Sequence, residues 1–161
     1  IAGLTILIIK NKLLSDCNKE LLPMFDYSSH AEEASMLNTS PVFSWYVSGL
    51  IFDWITEQGG VGMMGKVNME KSSLLYNYID ESSFYSNPVS KPYRSWMNIP
   101  FILARDDLEN DFIQCAEDEG LFNLKGHRTV GGMRASVYNA MPIEGIKKLI
   151  AFMDDFAKLH E

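Results

Sequence analysis

Two arginines and a histidine cluster in residues 125–142, whose sequence is KGHRTVGGMRASVYNAMP. The chain has only four arginines, and two of them, Arg128 and Arg134, lie here with His127, one of three histidines. The chain is acidic, with a formal net charge of -7. A guanidinium presents a planar fork of donors that binds a carboxylate or phosphate through two parallel hydrogen bonds. We therefore interpret this segment as an anion-binding site; the alternative is a set of ordinary surface ion pairs.

Glycines and a strand pattern are expected to position these cations. Gly131 and Gly132 permit a tight turn and a close approach of the backbone to a ligand. From Met133 onward the residue types alternate, which predicts a strand that places Arg134 and Ser136 on the face opposite Met133. Such a strand would hold the Arg134 side chain rigidly.

A second candidate stretch, Asn38-Thr39, lies at the end of an irregular segment and just before a predicted helix start at Ser40-Pro41. Short polar side chains and the amide groups of a helix start suit a phosphate. The alternative is that Asn38, Thr39 and Ser40 compete to cap the helix, and the local pattern alone favours this alternative.

Composition indicates a globular protein and limits its partners. The chain has 161 residues, of which 47% are hydrophobic and 22% are charged, as in folded domains. The acidic balance argues against a nucleic-acid partner, because phosphate backbones require a basic surface. The longest apolar run, residues 4–9, is too short to cross a bilayer, so no membrane association is expected.

Cysteine and histidine spacing predicts neither a disulfide framework nor a metal site. The two cysteines, Cys17 and Cys115, are far apart, and the histidines are scattered. We expect both cysteines to be free thiols, at least partly buried, in a reducing cytoplasm.

Residue patterns predict a mixed α/β or α+β chain. Residues 4–9 resemble a strand that is buried on both faces, and residues 26–39 a loop. A helix that is buried on most sides is predicted from Ser40-Pro41 to Gly59. A second helix is predicted from Gly62 to Ile79, with its charged side chains, among them Lys71, on the solvated side.

From residue 84 onward the predicted order is β-β-α-β-β-α. The strands include residues 95–103, where Pro100 indicates an edge or a bulge, and residues 121–124, which lead into the His127 stretch. Asp106 or Asp107 is expected to cap the helix between them. Pro142 opens a last helix with one apolar stripe.

Several long motifs resemble the phosphoserine aminotransferase family, whose members use pyridoxal 5'-phosphate. The resemblance covers essentially the whole chain. It rests on residues 126–142, on Met36-Leu37-Asn38-Thr39-Ser40-Pro41 with the aromatic helix that follows, on Ala2-Gly3-Leu4-Thr5, on Arg94-Ser95, on Met97-Asn98 and on Pro100-Phe101.

The resemblance implies a fold-type I aminotransferase of the cytoplasm that works as a homodimer. Residues 1–60 would be the end of the large, cofactor-binding domain, and residues 61–161 the small C-terminal domain. The implied reaction transfers an amino group from glutamate to 3-phosphohydroxypyruvate and gives phosphoserine for serine biosynthesis. A phosphorylated hydroxythreonine of pyridoxal-phosphate biosynthesis is the second implied product.

Carried over residue by residue, the resemblance assigns the candidate sites. Arg134 matches the arginine that binds the substrate α-carboxylate, and His127 and Arg128 match residues near the distal phosphate or side-chain carboxylate. Asn38 and Thr39 match the pair that reaches the cofactor phosphate of the other subunit.

Two departures from the family pattern bear on function. Ser40 stands where the family usually has proline. Ile1 also stands where proline is expected, and the lysine that binds the cofactor covalently should precede it, since none of the ten lysines has the matching context. We therefore expect a fragment with no catalytic residue of its own, which is inactive alone. The alternatives are a different fold-type I enzyme and a non-enzymatic module that binds phosphorylated metabolites.

Overall fold

The computed structural model describes residues 3–15, 21–129 and 131–160. Contacts divide the chain into two compact units, Ile1–Gln58 and Gly59–Glu161. Gly59 adopts a φ of +93° and Gly60 a φ of +76°, so the junction is made of residues that tolerate the left-handed region. The assignment of residues 1–60 and 61–161 to a large and a small domain stays a prediction.

The described residues of the first unit form three α-helices: α1 (Asn11–Ser15), α2 (Tyr27–Glu32) and α3 (Val42–Glu57). The predicted strand at residues 4–9 does not form among the described residues, because no neighbouring segment pairs with its backbone. The predicted loop at 26–39 is also wrong in part, since α2 lies within it. Asp26 caps this helix by accepting hydrogen bonds from the N–H groups of Ser28 and Ser29, at 2.9 and 3.2 Å.

Helix α3 differs from its prediction at its start and in its burial. Pro41 is the residue that precedes the first turn, and no side chain caps the helix. The Ser40 hydroxyl instead donates to the sulfur of Met36 at 3.4 Å. The prediction that the helix is buried on most sides is wrong for this chain, since Phe43 is 70% exposed and Tyr46 is 65% exposed.

In the part of the second unit that the structure describes, a three-stranded antiparallel sheet has helices packed on it. Its elements are α4 (Gly60–Glu81), β1 (Tyr85–Ser86), β2 (Asn98–Leu103), α5 (Glu109–Asp118), β3 (Met133–Ser136) and α6 (Ile143–His160). The strand order is β1-β2-β3, and β2 pairs with β3 so that Pro100 lies opposite Arg134.

Pro100 therefore lies in the middle strand, and the expectation of an edge strand is wrong. The proline is tolerated because β1 pairs only with Ile102 and Leu103. Beyond the end of β1, the side-chain amide of Asn87 donates to the Pro100 carbonyl. At Pro100, the edge of β2 that faces away from β3 has no paired strand among the described residues, so the missing backbone N–H costs no sheet hydrogen bond.

The predicted strand at residues 121–124 is also wrong. None of these residues lies in a strand, and the residue that follows them, Lys125, forms an isolated bridge with Met133. Asn123 adopts a φ of +63°, which interrupts an extended chain. The predicted cap of α5 is replaced as well: residues Asp106–Leu108 form a 3₁₀ turn, and no side chain caps α5.

One face of the sheet forms the core. Alternate residues of β2 and β3 are fully or almost fully buried on this face, in contact with helices α4, α5 and α6. The buried side chains from the strands are Ile99, Phe101, Leu103, Met133 and Ala135. The other face carries Arg134 and Ser136, both half-buried, so the predicted alternation along this strand is confirmed.

Helix α4 buries polar residues as well as the apolar ones expected from its spacing. Its buried residues include Asn68, Lys71 and Ser72 beside the apolar Leu75. Lys71 is 0% exposed, so its placement on the solvated side is wrong.

The isolated chain should self-associate. Ile6, Ile8 and Phe43 of the first unit are 64%, 94% and 70% exposed, and large exposed apolar surfaces promote association. We expect sedimentation velocity to show species heavier than the 18.3 kDa chain. The double substitution Ile8→Ser with Phe43→Ser should shift the distribution towards the monomer. A sharp monomeric boundary for the unsubstituted chain would contradict this prediction.

Phe112 should be the anchor of the second unit's core. It is 0% exposed, and its ring centroid lies 5.1 Å from those of Phe152 and Phe156. Phe112→Ala should lower the free energy of unfolding by about 3–5 kcal/mol, because it removes buried area and leaves a cavity. Urea unfolding measures the change. Phe122→Ala, at a position that is 67% exposed, is the control, and an equal loss in both variants would refute the assignment.

Candidate anion-binding site

A hairpin holds the predicted anion-binding residues of the second unit. The N–H of Gly126 donates to the carbonyl of Gly132 at 2.8 Å, and the N–H of Arg134 donates to the carbonyl of Leu124 at 2.7 Å. Strand β3 is thus bonded on one side to β2 and on the other to residues 124–126. The side chain of Arg134 is carried by a strand that is held on both flanks.

The turn of this hairpin carries His127 and Arg128. The N–H of Gly131 donates to the carbonyl of His127 at 2.8 Å and closes the turn. Both His127 and Arg128 are exposed. The His127 ring contacts the hydroxyl of Thr129 through Nδ1. The backbone therefore brings the three predicted residues into one hairpin, two of them on the turn and Arg134 on the strand.

Two glycines make the hairpin possible. A Cβ on Gly126 would lie 2.1 Å from the carbonyl oxygen of Gly131. A Cβ on Gly132 would lie 2.7 Å from Cγ2 of Ile102 and 2.9 Å from the carbonyl oxygen of Phe101. Gly131 and Gly132 lie in the turn with φ values of +75° and +62°, and Gly132 permits a close approach of chain to chain. The sequence interpretation assigned these two glycines to a tight turn, which is confirmed, and to a close approach of a ligand. It did not single out Gly126, whose role depends on its register opposite Gly132.

Arg134 has an unsatisfied donor. Its side chain is half-buried on the sheet face opposite the core, and its Nε atom is buried without a hydrogen-bond partner. A buried donor left without an acceptor costs about 1–3 kcal/mol, and more when the group is charged. An acceptor supplied by a ligand would remove this cost.

The other two arginines behave differently. Arg94 forms a two-bond pair with Asp80, through Nη1 at 2.8 Å and Nη2 at 2.7 Å. Arg105 pairs with Asp107, at 2.6 Å from Nη2. Among the described residues, neither Arg128 nor Arg134 has a carboxylate partner. Ordinary ion pairing thus describes the arginines outside the hairpin but not those within it.

Polar groups continue along the face that carries Arg134. Tyr138, just beyond β3, is 55% exposed, and its hydroxyl donates to Oδ1 of Asn98 at 3.4 Å. Asn98 and Ser136 are directly opposite each other in the sheet. This face therefore offers a guanidinium and several neutral polar groups, and the described residues place no carboxylate there.

Asn38 and Thr39 belong to the first unit and are both exposed. They lie between α2 and α3, and Asn38 borders a cavity of about 510 Å³ that Ser40 and Pro41 also line. The competing interpretation, that these side chains cap the helix, is wrong, since α3 begins without a side-chain cap. The side chains of Asn38 and Thr39 therefore make no capping hydrogen bond with the first-turn N–H groups of α3.

The structure corrects one expectation about the cysteines. Cys115 is a free thiol but is exposed, not partly buried, because it lies on the outer side of α5. Cys17 falls outside the described residues. Over residues 3–15, 21–129 and 131–160, no group of histidine, cysteine or acidic side chains is suited to hold a metal ion. No helix in these ranges is long and apolar enough to span a membrane.

Comparison with known proteins adds to this geometry. The family described as aminotransferase class-V matches residues 1–149. The chain is 55% identical over 157 residues to a phosphoserine aminotransferase of Acinetobacter baumannii, covering 98% of this chain and 44% of the relative. It is 52% identical over 159 residues to that of Pseudomonas fluorescens, covering 99% and 44%. The chain thus spans less than half the length of these relatives.

Solved structures give the same picture. A phosphoserine aminotransferase from Bacillus circulans subsp. alkalophilus is 40% identical, with a TM-score of 0.89, over 95% of this chain and 43% of the other. A phosphoserine aminotransferase from Trichomonas vaginalis, solved with pyridoxal 5'-phosphate bound, is 34% identical with a TM-score of 0.78, over 85% and 39%.

The Arg94–Asp80 pair should make stability depend on pH. The hydrogen bonds from Arg94 lower the pKa of Asp80 from 3.8 to about 2. A carboxyl with a depressed pKa stabilises the fold above its unfolded pKa and loses this contribution as pH falls through the folded pKa. Asp80→Asn should therefore destabilise the protein at pH 7, and the difference should disappear between about pH 4 and pH 2.

Urea unfolding at a series of pH values tests this prediction. The control is Asp155→Asn, because Asp155 is 79% exposed and lies 4.0 Å from its nearest cation, Lys158. The control should behave like the unsubstituted protein at every pH. A destabilisation by Asp80→Asn that stayed constant down to pH 2 would rule out the ion pair as its cause.

Proposed function

Because this chain belongs to the class-V aminotransferase family, we propose that it is the C-terminal portion of a phosphoserine aminotransferase. The predicted fold-type I α/β architecture is confirmed by the structural neighbours. The proposed reaction moves the amino group of glutamate to 3-phosphohydroxypyruvate and gives phosphoserine. A phosphorylated hydroxythreonine is the second proposed product. The relatives named above support this proposal over another fold-type I enzyme or a non-enzymatic module.

The unpaired guanidinium of Arg134 is the observation that carries the proposal. Its buried Nε lacks an acceptor, and it lies on a strand bonded on both flanks. A carboxylate can accept two parallel hydrogen bonds from a guanidinium. Glutamate and phosphoserine share an α-carboxylate, so one rigid arginine can orient both substrates. Arg134 is thus assigned to the α-carboxylate.

His127 and Arg128 are assigned to the far end of the substrate. Both side chains are exposed on the hairpin turn, and Arg128 has no ion pair among the described residues. The far end is a phosphate in phosphoserine and a carboxylate in glutamate. The phosphate carries more negative charge and more acceptor oxygens, so a cation here should favour the phosphorylated substrate.

Asn38 and Thr39 are assigned to the phosphate of pyridoxal 5'-phosphate bound by the partner subunit of a homodimer. Their exposed polar side chains are not used in capping α3, and helix-start N–H groups suit a phosphate. The residues present therefore fit the cofactor's phosphate group. The cofactor, when bound, supplies the electron sink for chemistry at the substrate α-carbon. We place the complete enzyme in the cytoplasm, where serine biosynthesis is expected.

Substitution of the two hairpin arginines in the complete enzyme tests this division of roles. Arg134→Ala should lower kcat/KM for both glutamate and phosphoserine by about a hundredfold or more, because it removes charge-assisted hydrogen bonds common to both. Arg128→Ala should lower kcat/KM for phosphoserine more than for glutamate. Steady-state kinetics with each amino acid gives the ratios.

Arg105→Ala is the matched control, because Arg105 pairs with Asp107 outside the hairpin. It should leave both kinetic ratios unchanged. If Arg128→Ala penalised the two substrates equally, the assignment of Arg128 to the phosphate end would be wrong. Retention of normal glutamate kinetics in Arg134→Ala would refute the function of Arg134.

A further inference from the structure

Lys71 on α4 is a buried cation whose hydrogen-bond acceptors are all backbone carbonyls. It is 0% exposed. Its Nζ donates to the carbonyls of Tyr138 and Met141, each at 2.9 Å, and to that of Asn139 at 3.4 Å. No carboxylate among the described residues pairs with it. One side chain thus binds three carbonyls of a single turn, residues 138–141.

This arrangement matches the chemistry of an ammonium group. An ammonium has three donors and no acceptor, so each carbonyl can receive one hydrogen bond. Burial of a charge is costly, and burial lowers the pKa of Lys71. For packing alone, an apolar side chain of similar length would cost less. What the amine adds is a fixed position for the turn.

A second residue of α4 binds the same turn. Asn68 is 3% exposed, and its Nδ2 donates to Oδ1 of Asn139 at 2.8 Å. Asn68 and Lys71 are three residues apart, so they lie on one side of the helix. The turn at 138–141 is therefore attached to α4 at two places.

The turn follows directly on the strand that carries Arg134. Among the described residues, the last sheet bond on the β2 side joins the N–H of Val137 to the carbonyl of Met97 at 2.7 Å. On the opposite side of β3, the last described bond joins the N–H of Arg134 to the carbonyl of Leu124. Beyond these bonds the chain leaves the sheet, and the contacts with Lys71 hold it. The turn begins four residues after Arg134, immediately beyond the last of these sheet bonds.

We propose that Lys71 is a positioning residue for the anion-binding strand. By holding three carbonyls of the turn at residues 138–141, it fixes the end of β3 and with it the direction in which the Arg134 guanidinium meets a carboxylate. Lys71 itself does not touch the substrate. The identity of the carboxylate as the α-carboxylate of an amino acid rests on the function proposed above.

Lys71→Met in the complete homodimeric enzyme tests the proposal, since methionine fills a similar volume without donors. The KM values for glutamate and phosphoserine should rise together by about tenfold to a hundredfold, as expected for a displaced binding group. The ratio between the two KM values should not change, because Arg128 lies on the turn of the hairpin, which the substitution does not affect. The value of kcat should change less than KM, because binding common to ground and transition states is lost.

Lys66→Met is the matched control, because Lys66 is an exposed residue of the same helix; it should leave both KM values unchanged. Asn68→Leu removes one attachment and keeps the buried charge, and it should raise both KM values by a smaller factor. If Lys71→Met does not fold, Asn68→Leu supplies the same measurement.

A purely structural role gives a different result. In that case the variants would lower the thermal midpoint or the folded fraction, while the KM values of the folded enzyme stayed unchanged, and the proposal would be overturned. The proposed function fails in another way, if the unsubstituted enzyme does not act on phosphoserine. The positioning role would then be decided by the dissociation constant of glutamate, which should still rise in Lys71→Met.

Discussion

The guanidinium of Arg134 has a donor that is buried away from water without an acceptor, and it is carried by a strand that much of the second unit fixes in place. Its Nε is buried and unpartnered, at a cost of about 1–3 kcal/mol or more. A free side chain would rotate towards water or towards one of the many carboxylates of a chain with net charge -7. The strand that carries Arg134 is fixed, because β3 is bonded on both flanks and because its alternate residues, Met133 and Ala135, are almost fully buried. The burial of the core offsets the cost.

Local patterns predicted this part of the chain because its features are local. Strand alternation places Arg134 opposite Met133 regardless of what else surrounds the strand. The stripe of α6, which includes Ile146, Leu149 and Met153, is buried as its helical spacing predicts. The resemblance to phosphoserine aminotransferases was equally readable, since its motifs are long and contiguous. Residues that are close in sequence carried each of these inferences.

Features that depend on distant partners were not predictable in the same way. Residues 4–9 have the composition of a buried strand, but a strand forms only where another backbone pairs with it. Lys71 was placed on the solvated side by its charge, although Met64, Asn68, Lys71 and Leu75 follow one helical stripe that is buried throughout. The helical spacing of Lys71 indicates burial, whereas its charge indicates exposure, and the spacing is the better guide here. The carbonyls that make the buried charge tolerable lie about 70 residues away, where no local pattern shows them.

The hairpin has a bonded strand that carries Arg134 and an exposed turn that carries His127 and Arg128. This difference matches the two ends of the proposed substrates. The α-carboxylate is the same in glutamate and phosphoserine, so the arginine that binds it gains from rigidity, which lowers the entropy lost on binding. Arg134 has this rigidity from its strand and from the attachment of the next turn to α4. The distal group differs in charge, size and reach. His127 and Arg128 lie on an exposed turn, where side chains can adjust to a carboxylate or a phosphate. A rigid strand at both ends would favour one substrate over the other, whereas the proposed transaminase must accept both in turn.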